Sequence, residues 1–317
     1  MKKTLVALAV LAAGSAQAGI EVYNQDGVTV NLKGDIEVVY VKGTAKDSEF
    51  TQEIQDADFG FDVRYAVNDE VSFGGYWEFD GASSDVTAGN DSIAKVGDAY
   101  VAFYTQSYGS IKFGRTCGAL DDSGVGSDFQ FGVTAFVDDS NFCGDEMVRY
   151  DFDNGSFYAT AAFAQDKKNV GALGEDGSYF DGKLGYRVAD FDFTAYYGTA
   201  DMDASNSDQD LLGLEARFGG VENLNLELGY YTLETKAAGV KTVDTDVIAL
   251  AADYTIDAVT LAVGYDIVDP ASGDKVNNWF VNAGYGFAPN TTAYVEVGGN
   301  DEDNSETGVA VGVKASF

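Results

Sequence analysis

Along most of this chain apolar and polar side chains alternate with a period of two. In 28–42, Val28, Val30, Leu32, Ile36, Val38 and Tyr40 share one face, while Thr29, Asn31, Lys33, Asp35 and Glu37 share the other. Successive side chains of a strand point to opposite sides, so this is the pattern of a strand with one apolar face. It recurs to the C-terminus: Phe59, Phe61, Val63 and Tyr65 oppose Asp58, Asp62 and Arg64, and Val309, Val311, Val313, Ala315 and Phe317 oppose Gly312, Lys314 and Ser316. Sixteen strands are predicted, near 28–42, 56–67, 71–81, 94–104, 109–115, 147–153, 156–165, 178–188, 191–200, 210–218, 224–233, 244–255, 258–267, 277–287, 291–299 and 307–317. No helical apolar period persists beyond two turns, and after residue 18 nothing approaches a transmembrane helix.

The connections alternate in length. Short turns at 68–70, 153–155, 189–190 and 288–290 separate longer acidic loops at 43–55, 166–177, 201–209 and 300–306. Long on one side and short on the other is the pattern of a transmembrane barrel, and a strand of about 10 residues tilted by about 40° rises about 25 Å, the height of its apolar band. An even strand count closes the sheet and removes the edges that lipid does not tolerate. The predicted fold is therefore all-β, a 16-stranded antiparallel transmembrane β-barrel. A soluble β-sandwich also alternates, but rarely places Tyr, Phe and Trp on apolar faces over so many strands.

The N-terminus strengthens the membrane reading. Lys2 and Lys3, an apolar run from Leu5 to Ala13, and Ala16-Gln17-Ala18 form a charged, an apolar and a small-residue region in the order of a secretory signal peptide. Residues 1–18 are expected to be removed, leaving 19–317 as one barrel domain. The net charge of −33 excludes nucleic-acid binding, and 45% hydrophobic residues exclude a disordered acidic chain.

If the apolar faces meet lipid, the polar faces look inward. Asp35, Asp58, Asp62, Arg64, Asp98, Lys183, Arg187, Glu215, Arg217, Asp253 and Glu296 all fall on them. So many ions do not share a dry core, and a sixteen-stranded barrel leaves a water-filled channel. Tyr40, Tyr65, Tyr254 and Phe287 lie near strand ends, where interfacial aromatic girdles are expected.

One connection is exceptional. About 116–146 exceeds twice the length of the other loops, and in a wide barrel such a loop has room to fold inward and narrow the pore. Cys117 and Cys143, the only cysteines, sit at its two ends. In an oxidising compartment they are expected to form a disulfide at the loop base.

Several segments together resemble the trimeric general porins of Gram-negative outer membranes. They are Ile20-Glu21-Val22-Tyr23-Asn24-Gln25-Asp26-Gly27, Tyr108-Gly109-Ser110-Ile111-Lys112-Phe113-Gly114-Arg115, Phe142-Cys143-Gly144-Asp145, Val148-Arg149-Tyr150-Asp151 and the terminal Phe317. The resemblance spans the chain after the signal peptide. It implies an outer-membrane homotrimer, with 82–93 latching onto a neighbour, and a third extracellular loop folded inward. In that family basic residues on the wall face acids on this loop. Here Asp35, Asp58 and Asp98 fall at or near the wall cations, Asn141 aligns with the loop glutamate, and Asp138 and Asp139 lie close to the loop aspartate. Arg115 and Arg149 keep matching positions. The expected pore-lining and constriction set is Asp35, Asp58, Asp62, Arg64, Asp98, Arg115, Asp121, Asp122, Asp138, Asp139, Asp145 and Arg149, with a preference for cations.

Other readings are weaker. A barrel hydrolase generally uses histidine as its base, and the chain has none, so no enzyme activity is expected. A sugar-specific pore would stack its solutes on lumen aromatics, here Tyr76, Tyr100, Tyr104, Tyr158, Tyr196, Tyr231, Phe280 and Tyr294. A structural or adhesive barrel would not conduct. The acidic loops lack the glycine and terminal glutamate of a calcium loop. No cofactor or dedicated metal site is expected. Besides copies of itself, the expected partners are outer-membrane lipid and lipopolysaccharide, small hydrophilic solutes and cations.

Overall fold

The computed structural model describes residues 19–81, 95–132, 143–169, 171 and 173–317. Seventeen strands follow one another: β1 (Ile20–Gln25), β2 (Val28–Lys42), β3 (Thr51–Ala66), β4 (Val71–Asp80), β5 (Lys95–Thr105), β6 (Gly109–Cys117), β7 (Cys143–Asp153), β8 (Phe157–Gln165), β9 (Ser178–Val188), β10 (Phe191–Met202), β11 (Ser207–Val221), β12 (Leu224–Ala237), β13 (Val240–Ile256), β14 (Val259–Pro270), β15 (Val276–Ala288), β16 (Thr291–Asn300) and β17 (Gly308–Ser316). From β2 to β17 each strand pairs antiparallel with the next, and β17 pairs with β2, closing a sixteen-stranded barrel.

β1 is a seventeenth segment but adds no seventeenth place. It pairs with Val28–Leu32 of β2, while β17 pairs with Asp35–Lys42 on the same edge. Between them Gly34 and Phe317 exchange two backbone hydrogen bonds, at 2.8 and 2.9 Å. The two chain ends thus complete one strand position end to end. Gly34 permits the junction, because a Cβ there would lie 3.0 Å from the Phe317 ring. The β1–β2 hairpin turns on Asp26 and Gly27, both at positive φ, as a two-residue turn matching strand twist requires.

The alternation decides which way each face looks. Tyr40, Phe61, Trp77, Phe103, Leu184, Leu228, Val263 and Val311 are among the exposed apolar side chains, and all point away from the barrel axis. So large an exposed apolar surface belongs against lipid. The expected girdle residues Tyr40, Tyr65, Tyr254 and Phe287 are likewise exposed. The sixteen predicted strands all occur, but several begin earlier: β3 starts at Thr51 and β7 at Cys143. Residues 1–18, the predicted latch 82–93, and Asp138, Asp139 and Asn141 lie outside the described residues.

Candidate functional site: the barrel lumen

Cys117 and Cys143 form the expected disulfide and are also the last cross-strand pair of the β6–β7 ladder. Beyond this staple the chain leaves the wall. Segment 118–132 takes its hydrogen-bond partners from β2, β7, β9, β10, β11, β12, β13, β15 and β16, all on the polar face. It therefore runs across the inside of the barrel.

Carboxylates on the wall hold it by its backbone. Leu120 N–H donates to Asp181 Oδ2 at 2.8 Å, Gly124 N–H to Glu215 Oε1 at 2.6 Å, and Gly126 N–H to Glu227 Oε2 at 3.1 Å. Ser127 Oγ donates to Asp253 Oδ1 at 3.3 Å. At the far end Phe129, Gln130 and Phe131 N–H all donate to Glu296, at 2.5–2.8 Å, and Asn282 Nδ2 adds a fourth bond at 2.9 Å. Cations close the arrangement from the other side: Arg149 Nη1 donates to the carbonyls of Cys117 and Gly118, and Arg217 Nη2 to that of Gly124. Charge-assisted bonds of this kind are about twice as strong as neutral ones.

Aromatic packing completes the seat. Phe129 stacks on Tyr294 with ring centroids 4.0 Å apart, and Lys314 Nζ lies 4.8 Å from the Phe129 centroid. Phe131 fills a hollow over Gly298 and Gly308, where a Cβ on Gly308 would come within 2.6 Å of its ring. Tyr196, Tyr231, Phe280 and Tyr294 are buried on this side of the wall. Burial also raises the Asp128 carboxyl above the ordinary carboxylate range.

These contacts correct one expectation. Glu215, Asp253 and Glu296 do not face water as lumen charges; all are buried, Glu296 completely. The segment crossing the lumen supplies the donors that let carboxylates lie dry.

The opposite wall, β2 to β5, is different. Asp35 stands directly across from Asp58, and Asp58 from Asp80. Glu37 lies across from Asp56 in the same register, which shifts only beyond this pair, at a bulge at Gln55. Glu78 Oε2 accepts the Asp98 N–H at 3.0 Å, and Thr116 Oγ1 donates to Asp98 Oδ2 at 3.3 Å. Asp35, Asp56, Asp58, Glu78, Asp80 and Asp98 thus form an acidic shelf, partly exposed to the lumen. Among the described residues none of them has a lysine or arginine within ion-pair distance, and Lys95, the cross-strand neighbour of Asp80, is no exception.

The remaining candidates are paired elsewhere. Asp62 holds Arg64 at 3.0 Å and Lys33 at 3.1 Å. Arg149 bridges Asp151 and Asp122, and Asp122 also holds Lys183. Arg115 pairs with Asp145 at 2.7 Å, half exposed, and lies apart from the shelf because it alternates with the lumen-facing Gly114 and Thr116. Asp121 lies close to both cysteine sulfurs, but the disulfide occupies those sulfurs and removes them as metal ligands.

The family model for Gram-negative porins matches residues 4–305. A porin-like protein H of Photobacterium profundum is 32% identical over the whole of both chains, and outer membrane protein U of Vibrio parahaemolyticus is 27% identical over the same span. Among solved structures, Salmonella typhi OmpF in complex with daunomycin superposes with a TM-score of 0.77 at 18% identity, covering 94% of this chain and all of that one. An anion-selective porin from Comamonas acidovorans gives 0.75 at 18% identity, covering 92% of this chain and all of that one. Such likeness concerns the fold; the selectivity named for the second belongs to that protein.

Proposed function

Since the chain belongs to the Gram-negative porins and resides in the outer membrane, we propose that it forms a water-filled channel through which ions and small hydrophilic solutes diffuse passively, with cations preferred. On this reading residues 1–18 are a signal peptide, the barrel begins at Gly19, and three copies assemble. The segment 118–132 narrows the pore to a passage along the β2–β5 wall.

The observation that carries cation preference is the contrast between the two walls. On one side the carboxylates are buried under hydrogen-bond donors. On the other the acidic shelf faces the passage, and among the described residues no lysine or arginine lies within ion-pair distance of it. Fixed charges on a low-dielectric wall concentrate counter-ions, and with a Debye length of about 8 Å at physiological salt they act across a narrow lumen. Arg115 and Asp145, paired with each other, contribute little to that field.

The aromatic residues favour general diffusion over sugar specificity, because stacking needs uncovered ring faces. Cations lie over Tyr76, Tyr100, Tyr104 and Tyr158 at 3.9–5.7 Å from the centroids. The other four lumen aromatics are buried beside the crossing segment. The test is reconstitution in planar bilayers and in liposomes. Open conductance closing in three steps, with swelling rates that fall smoothly as neutral sugars grow larger, is the expected result. A silent bilayer would favour a structural barrel, and saturable uptake of one sugar would favour a specific pore.

A further inference from the structure

Acids and cations are ordered along the β2–β5 wall. On β4 and β5 the shelf acids lie near the end that meets a long connection; on β2 and β3 Asp35 and Asp58 stand at mid-strand, but on the long-connection side of Lys33, Asp62 and Arg64. On β2, Asp35 lies beyond Lys33; on β3, Asp58 precedes Asp62 and Arg64; on β4, Glu78 and Asp80 lie beyond Tyr76; on β5, Asp98 precedes Tyr100 and Tyr104. Toward the short-turn end the same wall is electrically compensated, with Lys33 and Arg64 both held on Asp62. Asp58 and Arg64 are six residues apart, which at about 3.3 Å per residue and a tilt of about 40° separates them by roughly 15 Å along the axis. Lys33, two residues from Asp35, lies closer, so the zones adjoin, and it is their order along the axis that makes the lumen asymmetric.

Resting on the channel reading above, we propose that this lumen is an axially asymmetric filter, a net-negative zone in series with a compensated one, so that its conductance depends on the direction of the field. When cations are driven in from the long-connection end, anions arriving from the short-turn end are held back by the shelf. Both ions then accumulate in the compensated zone and the current rises. With the field reversed, both are drawn out of that zone and the current falls. The asymmetry is electrostatic and disappears once salt screens the shelf.

The test is single-channel recording in symmetric KCl at equal positive and negative voltages. The ratio is taken channel by channel, so that random insertion changes its sign but not its size. Biotinylated Asp303→Cys, blocked by streptavidin added to one chamber, reports the orientation. In 0.1 M KCl the expected ratio is roughly 1.5, the larger current carrying cations inward from the long-connection side, and in 1 M KCl, where the Debye length is about 3 Å, it falls close to one. The Asp35→Asn/Asp58→Asn/Asp80→Asn variant is expected to conduct symmetrically in 0.1 M KCl, and Glu78→Gln alone to lower the ratio part of the way. Equal currents in the unmodified protein at 0.1 M, rectification of the opposite sense, or rectification that survives 1 M salt or the triple substitution would overturn the proposal. Absence of any conductance would instead overturn the channel reading on which it rests.

Discussion

Asp58 has an aspartate directly across from it on both neighbouring strands, Asp35 and Asp80. Like charges facing each other across a ladder are destabilising, by roughly 0.2–1 kcal/mol per pair. Asp58→Asn is therefore expected to raise the urea midpoint of unfolding while weakening cation preference; a lower midpoint would mean that the shelf does not repel itself. Glu296 is the opposite case, a buried carboxylate that accepts three consecutive backbone N–H groups. Glu296→Ala leaves those donors without an acceptor, at about 1–3 kcal/mol for each that stays buried. It is expected to destabilise the protein and to make single-channel current noisy. Quiet current of unchanged size would show that the aromatic contacts suffice. Sequence parity alone identified Asp35, Asp58 and Asp98 as lumen acids. Asp56 shares their parity but heads the predicted strand 56–67, and nothing in the pattern showed that β3 begins at Thr51. The dryness of Glu215 and Glu296 was illegible, since their donors lie 91 and more than 160 residues away along the chain.

Among the elements, the sixteen barrel strands were legible because each needs only a local apolar face. β1 was not, since its place depends on Phe317 ending beside Gly34. The crossing segment was legible as a long connection but not in its path. That path is held at many points, which fixes the role of the disulfide. Removing the bridge with Cys117→Ser/Cys143→Ser is expected to cost about 3.5 kcal/mol by the loop-closure argument, read as a lower unfolding midpoint. Arg149 still grips the carbonyls of Cys117 and Gly118, so open conductance is expected to change by less than about a fifth. A large change would make the staple, rather than the wall carboxylates, the determinant of the constriction. Gly308→Val probes the other end: its side chain enters the hollow that Phe131 fills. Conductance is expected to change without loss of the barrel, seen as unaltered far-ultraviolet circular dichroism. Unchanged conductance would place Phe131 outside the constriction.

At the scale of the whole molecule, a net charge of −33 by itself implies little about transport, since loop charges in open water are screened. What matters is its division: one wall neutralises its carboxylates by hydrogen bonding the crossing segment, and the other leaves them facing the passage. The sign of the ions that pass is therefore the decisive property. The most direct test is the zero-current potential of the reconstituted protein under a tenfold KCl gradient. A potential of cation sign, reduced in Asp35→Asn/Asp58→Asn/Asp80→Asn, is the predicted result. A potential near zero, or of anion sign, would mean that Lys33, Arg64 and the other lumen cations govern the passage, and would contradict the account.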